Sequence, residues 1–411
     1  MAQTLADSNP PCHDVLIVGG GLVGASLAIA LDGLGLDVGQ VEAAPAGVLP
    51  PVFDERNLSF ADATVNALTA LGVLQELQEP PGLIRRIHVS RAGDFGRVLM
   101  DAADYGREAF GQVVVASDFG RALEARLARV QGLVRYRPAR FLGSSDEGGV
   151  RAVHIAAEGG ERTLRARLLV GADGSASAVR QALGISVDEH DYRQTLLVAR
   201  VRASRPPDGT AWERFTAHGP TALLPRGDRH YGVVHGVVRE EAGAALEWDD
   251  AAFLARIQSA FGWRAGRFSA AGPRSAYPMV RVVARATTAP RAVLVGNAAQ
   301  SMHPVGAQGF NLGLRDALTL AELVAANRSD PGGEAVLHGY VSRRREDRAR
   351  TLEFSDGLAR LTANDAPLLR PLRSLGLLAV DRLPALQARV AGGAMGYRGD
   401  DVPALCRGAG A

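Results

Sequence analysis

Three glycines near the start of the chain have the spacing of a dinucleotide-binding turn. Gly19, Gly21 and Gly24 form a G-x-G-x-x-G pattern directly after the apolar run 15–18. In such a turn the first glycine permits a tight bend, the second lets backbone approach a pyrophosphate, and the third allows a helix to pack on the strand. Glu42 follows at the spacing where a carboxylate accepts hydrogen bonds from ribose hydroxyls. The pattern predicts a site for FAD or NAD rather than NADP.

Two further segments repeat the order of apolar strand, glycine turn and helix. "GADGSASAVR" at 171–180 contains Asp173, and "GNAAQSMHPVGAQGFNLGLRDA" at 296–317 leads into a helix predicted from about Asn311. The A-D-G-S segment alone is also compatible with a type I turn followed by a serine N-cap. Three such edges in one chain favour a single extended ligand held by backbone groups and helix N-termini.

The elements that position these turns are predicted to form an α/β protein. The continuous apolar run 15–18 is typical of a parallel strand buried on both faces, and residues 23–34 keep helical spacing. Because the turns extend from residue 19 to residue 317, the dinucleotide-binding domain must be discontinuous. We assign it to the ranges 1–75, 106–185 and 286–345.

The two intervening segments, 76–105 and 186–285, carry short strands with alternating polarity. This pattern predicts an antiparallel sheet that covers the ligand, and "PRGDRH" at 225–230 predicts a hairpin turn within it. A histidine on such a strand is equally compatible with a buried core position. The residues predicted to line a substrate pocket are Leu223, Pro225, His235 and Tyr277.

Composition excludes several classes of function. A formal charge of +2 argues against a protein that follows nucleic-acid phosphates. Cys12 and Cys406 stand near opposite ends, so no disulfide framework or zinc spacing is available, and no metal is predicted. The chain has no lysine, which excludes lysine Schiff bases and the P-loop lysine. With no signal-peptide pattern or long apolar run, we expect a cytoplasmic protein.

Together the three turns resemble the flavin motifs of single-component aromatic hydroxylases, which have the para-hydroxybenzoate hydroxylase fold. "WERFTAHGPTALLP" at 212–225, "SAFGWRAGRFSAAGPRSAYP" at 259–278 and the spelling "GNAAQ" are similar to the ubiquinone-biosynthesis branch, in particular to its hydroxylases of 2-polyprenyl-6-methoxyphenol. The resemblance covers about residues 14 to 400. It implies a Rossmann-like FAD-binding domain interleaved with an antiparallel-sheet substrate domain, and C-terminal helices at 346–411.

The resemblance implies contacts to FAD along the chain. Glu42 would bind the ribose and Arg56 the pyrophosphate, although Arg56 is also compatible with a solvated loop charge. Gln112 and Asp173 would contact the cofactor. Asn297 stands where most members of the family have an aspartate that hydrogen-bonds the ribityl chain, so the electrostatic role of that aspartate does not transfer.

The third turn would lie against the isoalloxazine ring. Pro304, which has no N–H group, would sit near the reacting carbon. Gly309 and Asn311 would begin a helix whose N-terminal N–H groups stabilise negative charge on the reduced ring by about 0.3–2 kcal/mol. His303 is a candidate catalytic base, but the interpretation we favour is a turn residue packed beside the cofactor.

The implied reaction is monooxygenation of a polyprenylphenol with NAD(P)H and O2 in ubiquinone biosynthesis. Two alternatives remain open, a flavin reductase of isoprenoid double bonds with the same fold and a non-catalytic subunit that holds FAD in a biosynthetic complex. The C-terminal stretch that carries Arg370, Arg373, Arg382 and Arg389 is compatible with peripheral membrane contact, with a protein partner, or with an ordinary packing helix.

Overall fold

The computed structural model describes residues 10–216, 219–363, 369–397 and 401–408. Parts of the ranges assigned above, namely 1–9, 217–218, 364–368, 398–400 and 409–411, lie outside the described residues. Two large sheets and a smaller one account for the described strands. The mixed α/β arrangement confirms the predicted fold class, whereas the domain boundaries stay a prediction.

The bounds of the strands follow the chain from the first glycine turn to the third. In chain order the strands are β1 (Cys12–Val18), β2 (Val38–Val41), β3 (Asn57–Ala61), β4 (Gly82–Ile84), β5 (Arg86–Arg91), β6 (Arg97–Asp101), β7 (Gly111–Val115), β8 (Leu133–Tyr136), β9 (Ala139–Asp146), β10 (Arg151–Ala157), β11 (Gly160–Gly171), β12 (Val187–Ala203), β13 (Thr210–Thr216), β14 (Gly219–Pro225), β15 (Tyr231–Val238), β16 (Phe268–Ala271), β17 (Ser275–Ala284), β18 (Thr288–Ala289), β19 (Ala292–Leu294) and β20 (Gln300–Ser301).

The α-helices lie mainly between the strands of the first sheet and at the end of the chain. In chain order they are α1 (Leu22–Ala30), α2 (Asp62–Ala70), α3 (Ala116–Leu127), α4 (Ala178–Ala182), α5 (Ala242–Leu246), α6 (Asp250–Phe261), α7 (Gln308–Ala326), α8 (Glu334–Ala363), α9 (Leu369–Arg382) and α10 (Pro384–Ala394).

The first sheet has the order β18-β19-β11-β1-β2-β8, with β10 and β9 added beside β11. Strands β19, β11, β1, β2 and β8 run parallel to one another. Val15 and Ile17 of β1 pack into the core formed with α1, α3 and α7, whereas Leu16 and Val18 pack into a second core on the opposite face. Burial on both faces explains the continuous apolar run, and it brings the ends of β1, β11 and β19 to one edge.

The second sheet has the order β20-β17-β12-β15-β14-β13-β5-β6, with β16 beside β12. Its neighbours are antiparallel except for β13 and β5, which are parallel. The hairpin turn predicted at 225–230 is confirmed, because β14 and β15 pair up to Pro225 opposite Tyr231. One face of this sheet packs on α6 through a core that includes Leu223, Val233 and Phe253. The opposite face is left for a ligand.

Two C-terminal helices pack beside the edge strand β6 of the second sheet. Asp381 of α9 accepts a hydrogen bond from the Leu99 backbone at 2.9 Å, and Gln387 of α10 donates to the Leu99 carbonyl at 3.1 Å. Pro371 lies in the first turn of α9, where its missing N–H group has no intrahelical partner to lose. Over the described parts of the chain, no helix combines the length and hydropathy needed to cross a membrane.

Candidate active site

A cavity of about 940 Å³ lies between the ends of the parallel strands and the free face of the second sheet. All three glycine turns reach its wall. The cofactor-site residues predicted from the sequence that line it are Gly19, Gly21, Glu42, Arg56, Asp173, Asn297, Gly309 and Asn311, and Pro304 lines it as well. The volume is at the upper end of the range of small-molecule and cofactor sites. Distant segments of the sequence therefore meet at one cavity.

The first turn has the geometry that its glycine spacing predicts. Gly19 has a φ of +108°, and a Cβ there would lie 2.4 Å from the Ala172 carbonyl oxygen. A Cβ on Gly24 would lie 2.1 Å from the Gly19 carbonyl oxygen. A Cβ on Gly21 would meet only Val52, at 3.5 Å, and would otherwise occupy cavity space. The first and third glycines are thus required by the protein itself, whereas the second leaves room for a ligand beside the start of α1.

Glu42 follows directly after β2, and its carboxylate is held in place by two backbone groups. Its Oε2 accepts a hydrogen bond from the Gly20 amide at 2.6 Å, and its Oε1 accepts one from Ala44 at 2.7 Å. Each oxygen of an ionised carboxylate has further acceptor capacity. The side chain is therefore oriented at the cavity wall with lone pairs left for ligand hydroxyl groups.

Asp173 in the second turn acts first on its own helix. It accepts hydrogen bonds from the Ser177 hydroxyl at 2.5 Å and from the Val179 amide at 3.1 Å, and Ser177 in turn caps α4. Arg180 donates to the Ala298 carbonyl at 2.9 Å and to the Ser175 carbonyl at 2.8 Å. The buried Arg180 guanidinium thus fastens the second turn to the third.

The third turn is fixed to α7 by a buried carboxylate. Asp316 accepts hydrogen bonds from the Gly296 amide at 3.2 Å, from the Gln300 side chain at 2.7 Å and from the Arg344 guanidinium at 2.8 Å. A Cβ on Gly296 would lie 2.8 Å from a Val23 methyl group. Asn297, between these anchored residues, is exposed to the cavity.

Asp316 belongs to a buried ion network between α7 and α8. Arg315 binds both oxygens of Asp347, at 2.7 and 3.1 Å, and Arg344 binds Asp347 as well as Asp316, each at 2.8 Å. Burial alone raises the pKa of Asp347, but the charges of Arg315 and Arg344 hold that pKa well below its ordinary value. The network has two charges of each sign and so is neutral overall.

The helix after the third turn begins earlier than the sequence predicts. A single 3₁₀ turn at Val305–Ala307 leads into α7, which starts at Gln308 and not near Asn311. The Asn311 side chain accepts from the Ala61 amide at 3.0 Å and donates to the Ser59 and Ala307 carbonyls, at 3.0 and 2.7 Å. Asn311 therefore ties the helix to β3 with its side chain, and it lies in the cavity wall.

Arg56 lies in the cavity wall as part of a small cluster. It forms a two-point ion pair with Asp54, with both N–O distances 2.8 Å, and its guanidinium lies 4.2 Å above the ring of Tyr277. The Tyr277 hydroxyl donates to Asp54. The cluster joins the loop before β3 to the second sheet. Contact of Arg56 with a pyrophosphate stays a prediction.

His303 and Gln112 do not line the cavity. The Nδ1 atom of His303 accepts from the Val305 amide at 3.3 Å, so the proton lies on Nε2, which faces Gln194 at 3.4 Å. Burial lowers the pKa of His303 to about 4, against the opposing charge of Asp356. The neutral ring supports the turn and is turned away from the cavity, which favours the packing interpretation over a catalytic base. Gln112 lies in β7, and its cofactor contact stays a prediction.

The predicted substrate wall is wrong at three of four positions. Tyr277 lines the cavity, whereas Leu223, Pro225 and His235 do not. Successive strand residues point to opposite faces, and the face of β14 and β15 that carries Leu223 and His235 is covered by α6. The cavity is lined instead by the alternate residues Ala222, Leu224 and Val234.

The sequence reasoning missed Glu213, a cavity-lining residue of β13. It lies inside the segment "WERF" at 212–215, where nothing local in the sequence marks it as a cavity residue. The same alternation that corrects β14 and β15 identifies Glu213, because it pairs with Ala222 across the strands. No group of side chains among the described residues has the arrangement of a metal site.

Comparisons with known proteins agree with this geometry. A family model described as FAD binding domain matches residues 13–355. The chain is 36% identical over 402 residues to ubiquinone hydroxylase UbiL of Rhodospirillum rubrum, covering 96% of this chain and 92% of the relative. It is 31% identical over 397 residues to 3-demethoxyubiquinol 3-hydroxylase of Escherichia coli, covering 93% and 98%.

Solved structures share the fold at low identity. The crystal structure of p-nitrophenol 4-monooxygenase PnpA from Pseudomonas putida matches with a TM-score of 0.79 at 18% identity, covering 96% of this chain and all of the other. At this identity the likeness establishes the fold alone.

Proposed function

Because this chain belongs to the FAD binding domain family and is a flavin-dependent aromatic hydroxylase, we propose that it hydroxylates a polyprenylated phenol of ubiquinone biosynthesis. The electron donor is NAD(P)H and the oxidant is O2. Two relatives at 30% identity or more are named as hydroxylases of ubiquinone or its precursor. The finer proposal is that the substrate is a 2-polyprenyl-6-methoxyphenol, which becomes the corresponding benzoquinol.

The residues around the three turns fit FAD. The space at Gly21 and the start of α1 suit the pyrophosphate, and the oriented carboxylate of Glu42 suits the ribose. Asn297 and the backbone at Gly309 and Asn311 would hold the ribityl chain and the ring. When bound, FAD accepts hydride from NAD(P)H and makes oxygen available to the phenol.

The observation that carries the proposal is that one cavity joins the cofactor turns to an apolar wall. Ala222, Leu224 and Val234 of the second sheet line the same space as Pro304 of the third turn. An apolar wall binds a prenyl tail through burial of hydrocarbon, at about 25 cal/mol per Å². It also excludes water from the ring side, which limits loss of reducing equivalents to side reactions.

The test is purification with FAD, followed by NAD(P)H oxidation with candidate phenols under ¹⁸O₂. We expect substrate-stimulated oxidation and one ¹⁸O atom in the product. Oxidation without labelled oxygen and with a saturated prenyl chain would instead indicate a reductase. A folded protein that binds FAD and shows no stimulation by any phenol would be a non-catalytic subunit.

The same assay identifies the substrate. A 2-polyprenyl-6-methoxyphenol and a 3-demethoxyubiquinol are offered separately, because the E. coli relative is named for the second compound. Preferential hydroxylation of the first supports the finer proposal, and preferential hydroxylation of the second refutes it while leaving the coarser proposal intact.

We also propose that the C-terminal helices rest on an anionic lipid surface, where such a substrate resides. Leu372 and Leu375 of α9 are 63% and 54% exposed, and Leu383 and Leu386 beside or on α10 are 52% and 43% exposed. Exposed arginines, including Arg382, accompany them. Apolar side chains flanked by cations are typical of interfacial helices, and Val390 and Ala394 of α10 line the cavity.

Vesicle flotation tests this surface. The double variant L372E/L375E should lose binding to vesicles that contain phosphatidylglycerol. The variant L142E, which places a carboxylate at an equally exposed leucine far along the chain, is the matched control and should still float. Equal flotation of both variants would refute the lipid contact.

A further inference from the structure

Glu213 is an acidic side chain in an apolar part of the cavity wall. It lies in β13, opposite Val89 of β5 on one side and Ala222 of β14 on the other. Between β5 and β12 the row across the sheet is otherwise apolar, and the members that line the cavity are Val89, Ala222, Val234 and Val198. Burying a carboxyl group in such a row costs free energy unless the group forms a hydrogen bond or an ion pair.

No described residue supplies that polar group. The structure contains no hydrogen bond or ion pair between Glu213 and any described residue, whereas Arg214, its neighbour on the opposite face, donates to the Ala260 carbonyl at 3.0 Å. Burial raises the pKa of Glu213 to about 7, and no charged neighbour contributes to that shift. An unpaired acid with a raised pKa in a cavity is typical of a functional group rather than a structural one.

The other titratable residues of the cavity wall are already engaged or lie at the cofactor turns. Glu42 accepts from two backbone amides, Asp173 accepts from Ser177 and from the Val179 amide of α4, and Arg56 and Tyr277 share Asp54. Arg140 is the remaining charged side chain in the wall, and it contributes nothing to the shift at Glu213. Among the described residues of the wall, Glu213 is thus the carboxylate that remains available to accept a proton on the substrate side.

The strand that carries Glu213 is linked to the ring side of the cavity. Helix α8 packs both against β13 and against the Val305–Ala307 turn that follows Pro304, and its Phe354 and Leu358 line the same cavity. Residues of α8 and of the second sheet therefore face the same space beside Pro304.

We propose that the carboxylate of Glu213 binds the phenol hydroxyl group of the substrate and takes its proton as the ring is hydroxylated. This inference rests on the proposed function and adds the residue that activates the phenol. The sequence motif "WERF" then contains a catalytic residue.

The proton transfer balances without any further reagent. The phenol O–H bond breaks while an O–H bond forms at the Glu213 carboxylate, and the electron pair stays on the phenol oxygen. That pair raises electron density at the ring carbons ortho and para to it, which is what an electrophilic oxygen atom requires. One atom of O2 enters the ring and the other leaves as water, with two electrons from NAD(P)H. Glu213 returns its proton to solvent or to the product oxygen.

The test compares wild type, E213Q and the control E161Q. The glutamine side chain of E213Q keeps the size of the original and cannot take a proton, and Glu161 is an exposed glutamate on β11. We measure FAD content, FAD reduction by NAD(P)H, substrate KM and hydroxylated product from pH 5.5 to 9.5. General base catalysis contributes about 10²–10⁴-fold, so product formation by E213Q should fall by that factor at pH 7.5 with FAD content and reduction unchanged.

Two further readouts separate proton transfer from a merely structural effect. In wild type the rate of product formation should rise with pH through an apparent pKa near 7, because the carboxylate is the active form. In E213Q this rising limb of the pH profile should be absent. A ring-fluorinated phenol, which ionises at lower pH, should recover part of the lost rate in E213Q.

The outcomes are distinguishable from failure of the proposed function. Product formation by E213Q within threefold of wild type, with the same pH profile, overturns the role of Glu213 and leaves the function standing. A wild-type enzyme that forms no product from any phenol overturns both. If E213Q does not fold, the pH profile of wild type with phenols of different pKa decides whether Glu213 takes the proton. A limb near pH 7 that does not move with the pKa of the substrate supports Glu213, and a limb that follows the substrate overturns it.

Discussion

The buried ion network between α7 and α8 allows a stability prediction of defined size. In D316N the shape of the side chain is kept while its charge is removed, so Arg344 loses one of its two carboxylate partners. Removing one partner of a buried ion pair costs about 3–5 kcal/mol. Because Arg344 keeps Asp347, we expect the lower part of that range.

A smaller loss arises at the third glycine turn. Asp316 accepts from both the Gly296 amide and the Gln300 side chain, and an asparagine with one carbonyl oxygen serves them less well. A lost hydrogen bond of this kind costs about 1 kcal/mol. We therefore expect D316N to lower the free energy of unfolding by about 4 kcal/mol, the sum of the two losses, and to weaken FAD retention, because the turn beside Asn297 loses its anchor.

Urea unfolding of the FAD-free protein, followed by circular dichroism, measures this loss. The matched control is D330N, since Asp330 pairs with Arg291 at the surface, where an ion pair contributes about 0–1 kcal/mol. A loss below about 1 kcal/mol in D316N, or a loss equal to that of D330N, would refute the reasoning that the network stabilises the turn.

Three further predictions concern the first glycine turn, His303 and Glu213. G21A should fold as stably as wild type and bind FAD more weakly, as measured by fluorescence titration. G24A should fail to fold, because its Cβ would meet the Gly19 carbonyl oxygen. Equal behaviour of the two variants would contradict the assignment of Gly21 to the ligand and of Gly24 to the packing of the turn. Burial lowers the pKa of His303 to about 4, so as pH falls from 6.5 to 4 the wild type should lose up to about 3 kcal/mol more than H303Q in urea unfolding at each pH. Burial raises the pKa of Glu213 to about 7, so the free energy of unfolding of wild type should decline as pH rises from 4.5 to 7. E213Q should therefore be about 1–3 kcal/mol more stable than wild type at pH 8 and no more stable at pH 4. The difference at pH 8 stays within this range because the cavity beside Glu213 admits water. If the free energy of unfolding of H303Q or E213Q changes with pH in parallel with that of wild type, the substituted residue does not cause the pH dependence.

The glycine turns were predictable because their requirements are local. Gly19 forms a tight bend, and α1 contacts that bend at Gly24. Both features depend on residues close in sequence, so the G-x-G-x-x-G pattern predicts both. The convergence of the three turns also followed, since parallel strands present their ends at one edge. The fold class was accessible for the same reason, whereas the choice of FAD over NAD followed from the resemblance to the aromatic hydroxylases.

Residues whose position depends on distant partners were not predictable. Alternation places Leu223 and Leu224 on opposite faces of β14, but only the packing of α6 decides which face remains for a ligand. The Asn311 side chain bonds to β3, about 250 residues earlier in the chain, which no local pattern indicates. Glu213 was overlooked because its significance lies in what surrounds it, not in its neighbours in sequence.

The arginine forks of the α7–α8 network also bear on the absence of lysine from this chain. At most surface positions an ammonium group would serve as well as a guanidinium, so the exclusive use of arginine there has no structural consequence. Arg315 is different, because its Nε and Nη2 atoms donate to the two oxygens of the Asp347 carboxylate. A single ammonium nitrogen does not reproduce this two-point contact. A lysine-rich homologue would therefore be expected to keep arginine at this position, as at Arg344 and Arg56, and to exchange arginine for lysine at exposed positions that make a single contact.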